Sequence, residues 1–312
     1  MTDHAFYTAQ SHITDPGRFA DRVAAVPATL TSMRTAAREL VFHYRADGDF
    51  AENGIAGARI AEIDTRYAED MLARLFQLAD VPLGHPRAPA QRLVGCCRDF
   101  TVLFLAIARA HGVPARGRVG FATYFHPGWL IDHVIAEVWD PVRQRWRLVD
   151  PELADDHVAA VDGARIDPED IPPGGFLTGP EAWRSCRSEA IDVQRFVVAP
   201  ELGLPATRGW PYVRHNLVHD LAALAKQEML LWDNWGLIQI DDEPSHDQLA
   251  ALDALAAATS SSDVPLERVQ SFFRLDGFRV PPVVTSYSPA SPVPLQVPSS
   301  REPAPAAPGV GL

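Results

Sequence analysis

Residues 92–120 constrain this chain more than any other stretch. Gly95 precedes two adjacent thiols, Cys96 and Cys97, and an acid, Asp99, follows two residues after the second. Phe100, Leu103, Phe104, Ile107 and Ala108 then recur at helical spacing, and Gly112 and Pro114 stop the run. The segment reads as a loop, a cysteine at a helix N-terminus, a buried helix and a turn into a strand. The positive end of a helix favours the thiolate over the thiol, so this placement is one way to make a cysteine reactive. A reactive cysteine also needs a base and an acid that orients it, and both must come from elsewhere in the chain.

The 312 residues suffice for one large domain, or for a core of about 150 residues with an extension. A net charge of -12 argues against a nucleic-acid surface, because phosphate binding needs clustered cations. The basic residues are nearly all arginine, Lys226 being the only lysine. Three cysteines (Cys96, Cys97, Cys186) are too few and too unevenly placed for a disulfide framework. The start, Met-Thr-Asp-His-Ala-Phe, lacks a basic region followed by an apolar core, so no signal peptide is expected. No apolar run approaches the length of a membrane span. A cytoplasmic protein is expected, without a membrane or nucleic-acid partner.

Along the chain, residues 18–46 read as one or two helices, and Tyr67, Met71, Leu72, Leu75 and Leu78 mark another from about Asp64. After the central helix, Ala115 to Tyr124 looks like a strand. Asp132 to Trp139 is a second, with His133, Ile135, Glu137 and Trp139 on one face by period two. Arg145 to Asp150 is a third, ending at Pro151. Helices followed by an antiparallel meander give an α+β fold. A second helical block follows, with helices over 181–187, Val213 to Trp235 and Asp247 to Ala258. Residues 281–312 hold nine prolines among 32 residues and are expected to be disordered or extended. The expected division is therefore a catalytic core over 1–155, a helical extension packed on it over 156–280, and a Pro-rich tail over 281–312.

Three positions combine into chemistry: Cys97, His133 and Asp150. Cys97 at the helix N-terminus supplies the nucleophile. His133 on a strand can take its proton and later give one to the leaving group. Asp150 at the end of the next strand can hold the imidazole in the required tautomer. The residues around these positions resemble the transglutaminase-like cysteine enzymes, in their bacterial form, over roughly 90–152. The shared segments are Gly95-Cys96-Cys97-Arg98-Asp99 opening a helix, and Gly112-Val113-Pro114-Ala115-Arg116 with Gly120-Phe121. His133-Val134-Ile135-Ala136-Glu137-Val138 and Trp146-Arg147-Leu148-Val149-Asp150-Pro151 complete the set. The resemblance implies a papain-like or transglutaminase-like core, a nucleophile helix packed on an antiparallel sheet. It implies the same three roles for Cys97, His133 and Asp150, and acyl transfer through a thioester on Cys97. The acyl donor would be an amide-containing peptide, protein or small molecule, and the acceptor an amine or water. No cofactor and no metal are expected; adjacent cysteines lack the usual ligand spacing, and no calcium loop is visible.

Neighbouring residues carry simpler expectations. Cys96 should turn away from Cys97 into packing, and Asp99 should stabilise the helix start through a local hydrogen bond. Arg116 should pair with an acid inside the fold, Glu137 being one such acid. Asp132 could tune His133 or face solvent, and Gln91 is one side chain that could serve as an oxyanion donor. The competing reading of the whole chain is a catalytically inactive transglutaminase-like binding or scaffold module.

Overall fold

The computed structural model of the chain describes residues 3–239 and 243–301. Its elements begin with α1 (Asp3–Thr8), α2 (Ala20–Ala24), α3 (Leu30–Leu40), β1 (Val41–His43), α4 (Ala68–Leu78), β2 (Leu93–Gly95), α5 (Cys97–Ala110), β3 (Ala115–Ala122), β4 (Leu130–Asp140) and β5 (Arg145–Val149). They continue with β6 (Phe176–Thr178), α6 (Gly179–Arg187), β7 (Phe196–Val197), α7 (Gly209–Leu224), β8 (Asp233–Asn234), α8 (His246–Thr259), α9 (Leu266–Phe273), β9 (Val283–Ser286) and β10 (Leu295–Pro298). The α+β arrangement expected of the sequence is the one found, with helices preceding an antiparallel sheet.

Every residue of α5 from Cys97 to Arg109 is buried. A helix buried all round must be covered on all sides. Here α2 and α3 pack on it from one direction, and β3 and β4 from the other. Its start is fixed locally. Asp99 Oδ2 accepts a hydrogen bond from the Cys96 backbone N–H at 2.9 Å, as a helix-stabilising acid should. A Cβ on Gly95 would come within 2.6 Å of that oxygen, so a glycine is required where Asp99 folds back.

The main sheet runs β5-β4-β3-β6, all neighbours antiparallel. On the edge of β4 away from β3, β5 pairs with residues 136–140 and β7 runs parallel beside Leu130 and Ile131. Residues 132–135 of β4 therefore have no strand partner on that edge, and His133 lies in this gap. The expected extension over 156–280 is more than a layer on the core: it supplies β6 and β7 to the sheet, and α7 packs along β3.

Charged groups tie these parts together in the interior. Glu137 accepts from Arg116 Nε at 2.6 Å, as expected, and from Arg118 Nη1 at 3.0 Å. Arg118 also donates to both oxygens of Asp220 on α7, at 2.9 and 2.8 Å. All four groups are at most 3% exposed, so each charge relies on its partners rather than on water.

One expectation is corrected. The helix expected over Val213 to Trp235 ends at Leu224. Lys226 adopts a left-handed backbone (φ 62°), which breaks the helix. Its ammonium donates to the carbonyls of Phe6, Ala9 and Gln10 at 2.8, 2.6 and 3.2 Å, which holds the turn in place. Of the two forms expected of the Pro-rich stretch, disordered or extended, the extended one is found in strands before residue 301. β9 and β10 pair from Leu295↔Ser286 to Pro298↔Val283, with β8 on the far side of β9. Its prolines fall before β9, between the strands, or at the end of the edge strand β10, where a ladder N–H is dispensable. Residues 302–312 of that stretch lie outside the described residues. Among the described residues no helix is long and apolar enough to cross a membrane.

Candidate active site

His133 and Asp150 meet because of the strand register. Val149, the last residue of β5, pairs with Ala136 of β4, so Asp150 emerges beside the gap where His133 stands. His133 Nε2 lies 2.8 Å from Asp150 Oδ2. Tyr124 donates its hydroxyl to the same oxygen at 2.5 Å, and the Glu152 backbone N–H donates to Oδ1 at 2.9 Å. Asp150 is fully buried and His133 is 2% exposed.

Burial alone would raise the Asp150 pKa, but the His133 charge and the hydrogen bonds from His133, Tyr124 and Glu152 N–H hold it below the usual carboxylate value. Burial alone would lower that of His133, and the charge and hydrogen bond of Asp150, with Glu152 and Asp132, hold it above the ordinary imidazole value. Asp150 is thus a carboxylate with acceptors only, and the neutral imidazole must carry its proton on Nε2. Nδ1 is left with its lone pair.

Cys97 is the first residue of α5 and is 5% exposed. It packs in a cluster that includes Cys96, Val119, Val134 and Trp232. One turn further along, Thr101 donates its hydroxyl to the Val134 carbonyl at 2.9 Å, which ties this face of α5 to the residue after His133. The Cys97 thiol is pushed well above its ordinary pKa, first by the neighbouring Cys96 thiol, then by burial, then by the charges of Asp132 and Glu152. At rest it is a protonated thiol. Cys96 does not turn away from Cys97 as expected: both thiols share one cluster, because both flank the turn from β2 into α5.

The structure brings His133 and Asp150 into direct contact. Cys97 joins them through shared surroundings, with no hydrogen bond to the imidazole. The link is Glu152. Its Oε2 is 4.0 Å from His133 Nδ1, and in its ionised form its charge raises the Cys97 pKa. Burial pushes the Glu152 pKa up to about 8, with Asp150 and Asp47 adding to the shift and His133 and Arg38 opposing it.

Sequence reasoning missed Tyr124, Glu152 and the partners that hold Asp132. Tyr124 was read only as a strand residue, and Glu152 follows Pro151 with no motif to mark it. Asp132 does not turn to solvent. It accepts from Tyr212 Oη and Asn216 Nδ2 of α7, both at 2.8 Å, and burial raises its pKa to about 6. The Phe125 ring stands edge-on to His133, with centroids 5.0 Å apart. Gln91 is exposed, and its Oε1 accepts from the Ala88 N–H at 3.2 Å, so it does not face the thiol chemistry expected of an oxyanion donor. Among the described residues no group of three or more His, Cys, Asp or Glu could hold a metal ion.

The thiol thus opens a buried helix that packs on the strand carrying His133, which is itself paired with Asp150. Residues 81–151 match the transglutaminase-like superfamily, which makes this part of the chain a transglutaminase-like domain. No curated protein matches the chain. Among solved structures, one similar chain is a proposed cysteine protease from Cytophaga hutchinsonii, 14% identical, with a TM-score of 0.35. The similarity covers 56% of this chain and 45% of that one, so this chain spans less than half of its length.

Proposed function

We propose that the protein is a cysteine-dependent acyl-transfer enzyme in which Cys97 forms a thioester with the acyl group of an amide. His133 Nδ1 takes the thiol proton as sulfur attacks the carbonyl carbon, and the C–N bond breaks once His133 gives that proton to the departing amine or ammonia. Asp150 keeps the proton of the resting imidazole on Nε2 and stabilises the imidazolium that forms. An amine or water then resolves the thioester, giving transamidation or hydrolysis. The acyl donor is an amide-containing peptide, protein or small molecule. The observation that carries this reading is the 2.8 Å His133 Nε2–Asp150 Oδ2 contact, which directs the lone pair of Nδ1 away from the acid. The backbone N–H of Cys97, free at the first turn of α5, is available to stabilise the oxyanion. All three cysteines are unpaired, which supports action in a reducing compartment such as the cytoplasm.

Cys97→Ala and His133→Ala variants test the reading on any amide that the wild type turns over. Both are expected to lose turnover; full activity in either contradicts it. A second reading, a binding module without catalysis, is favoured by one observation: the thiol is 5% exposed and its pKa is raised. It requires that Cys97 react with electrophiles no faster than Cys96 or Cys186.

A further inference from the structure

Glu152 is a largely buried carboxyl at the site to which the proposed chemistry gives no task. Its side chain is 14% exposed, and its Oε2 is shielded from solvent without a hydrogen-bond partner. A buried, unpartnered acceptor costs free energy, so its persistence calls for an occupant that satisfies it. The Oε2 atom lies 4.0 Å from His133 Nδ1, which is the lone-pair nitrogen. That gap is too long for one hydrogen bond and suits two. An atom placed between them with bonds of about 2.8 Å to each subtends roughly 90° at itself, close to the spread of two X–H bonds on one nitrogen or oxygen. A carboxyl keeps an acceptor oxygen whether or not it is protonated.

We propose that Glu152 Oε2 and His133 Nδ1 form a two-acceptor cradle for the nucleophile that resolves the acyl-enzyme, so that this nucleophile must carry two hydrogens on its attacking atom. Water and primary amines qualify; secondary amines and alcohols do not. This rests on the reading of Cys97 as the acylated residue. For a primary amine, the nitrogen lone pair forms the C–N bond at the thioester carbonyl. One N–H proton passes to His133 Nδ1, and the other stays hydrogen-bonded to Glu152 and remains in the product amide. The C–S bonding pair returns to Cys97 Sγ, which then takes the proton from the imidazolium. Glu152 gains and loses nothing; it orients the attacking atom and selects it.

The test uses the full-length protein acylated with p-nitrophenyl acetate as a probe. Products are then counted with propylamine and with N-methylpropylamine at equal free-base concentration, and ethyl thioacetate in solution serves as the reference for intrinsic reactivity. The wild type is expected to prefer the primary amine about tenfold more than the free thioester does, the worth of one directed hydrogen bond. Glu152→Met removes the acceptor and is expected to reduce the preference to that of the free thioester. Glu152→Gln retains an acceptor oxygen and is expected to keep most of it. A ratio of products is independent of the amount of folded enzyme, so a general loss of structure does not mimic the effect. A wild-type preference equal to that of ethyl thioacetate overturns the proposal without any variant, as does a Glu152→Met preference equal to the wild type. Failure of Cys97 to become acylated at all would instead remove the underlying reading.

Discussion

Replacing Asp150 with asparagine tests how the site sets its tautomer. In the wild type both carboxylate oxygens accept: Oδ1 from the Glu152 N–H at 2.9 Å, and Oδ2 from His133 Nε2 at 2.8 Å and Tyr124 Oη at 2.5 Å. Asparagine has one acceptor and one donor end. If its oxygen stays with Glu152, its amide N–H faces Nε2 and forces the imidazole proton onto Nδ1, which can then no longer take a proton from the thiol. If it turns the other way, two N–H groups oppose each other at Glu152, and the imidazolium loses its counter-charge. Either outcome removes a charge-assisted hydrogen bond worth about 1.5–3 kcal/mol, which corresponds to a rate loss of about 10- to 150-fold. The assay is alkylation by iodoacetamide, with the second-order rate at Cys97 resolved by peptide mass. Because the resting thiol is protonated, its alkylation near neutral pH depends on proton transfer to His133. A Cys97 rate in Asp150→Asn within about twofold of wild type would refute the reasoning, since a charge-assisted bond cannot be worth so little.

Other expectations follow from the same contacts. Asp220→Ala leaves Arg118, 1% exposed, short of two of its partner oxygens and is expected to destabilise the fold by about 3–5 kcal/mol in urea unfolding; a loss under about 1 kcal/mol contradicts the network's role. Glu152 has a folded pKa of about 8 against an ordinary value of 4.5, so the folded chain binds the extra proton between these values and wild-type stability falls as pH rises across that window. Glu152→Gln lacks this loss and is expected to gain on wild type by roughly 3 kcal/mol between about pH 5 and about pH 7.5. Parallel stability–pH curves for the two proteins would show that the carboxyl is not held protonated.

Much of the site was legible because it rests on local patterns. Gly95 to Asp99 announces a helix start, and the period-two run through His133 fixes which strand residues share its face. Asp150 stood out as a candidate because an aspartate before a proline ends a strand. What could not be read was non-local. Tyr124 reaches Asp150 across 26 positions, and Asn216 reaches Asp132 across 84, so no spacing in the sequence connects them. Glu152 carries no motif, and only its burial and its distance from Nδ1 single it out. The over-long helix through Trp235 came from apolar spacing that continues past Leu224. The interruption is tertiary, set by Lys226 docking on carbonyls more than 200 residues away. The Pro-rich stretch was left open between disorder and extension because composition reports intrinsic preference, while β9 and β10 are fixed as strands by pairing with each other and with β8.

The central claim is that an acyl group is carried on Cys97 sulfur with His133 handling the proton. The most direct measurement is intact-mass and peptide-mass analysis of the protein after brief exposure to p-nitrophenyl acetate, followed by hydroxylamine. The expected result is one acetyl group on Cys97, released by hydroxylamine as a thioester is, absent in Cys97→Ala and formed far more slowly in His133→Ala. Acetylation that persists in Cys97→Ala, or that forms equally fast without His133, would contradict the account.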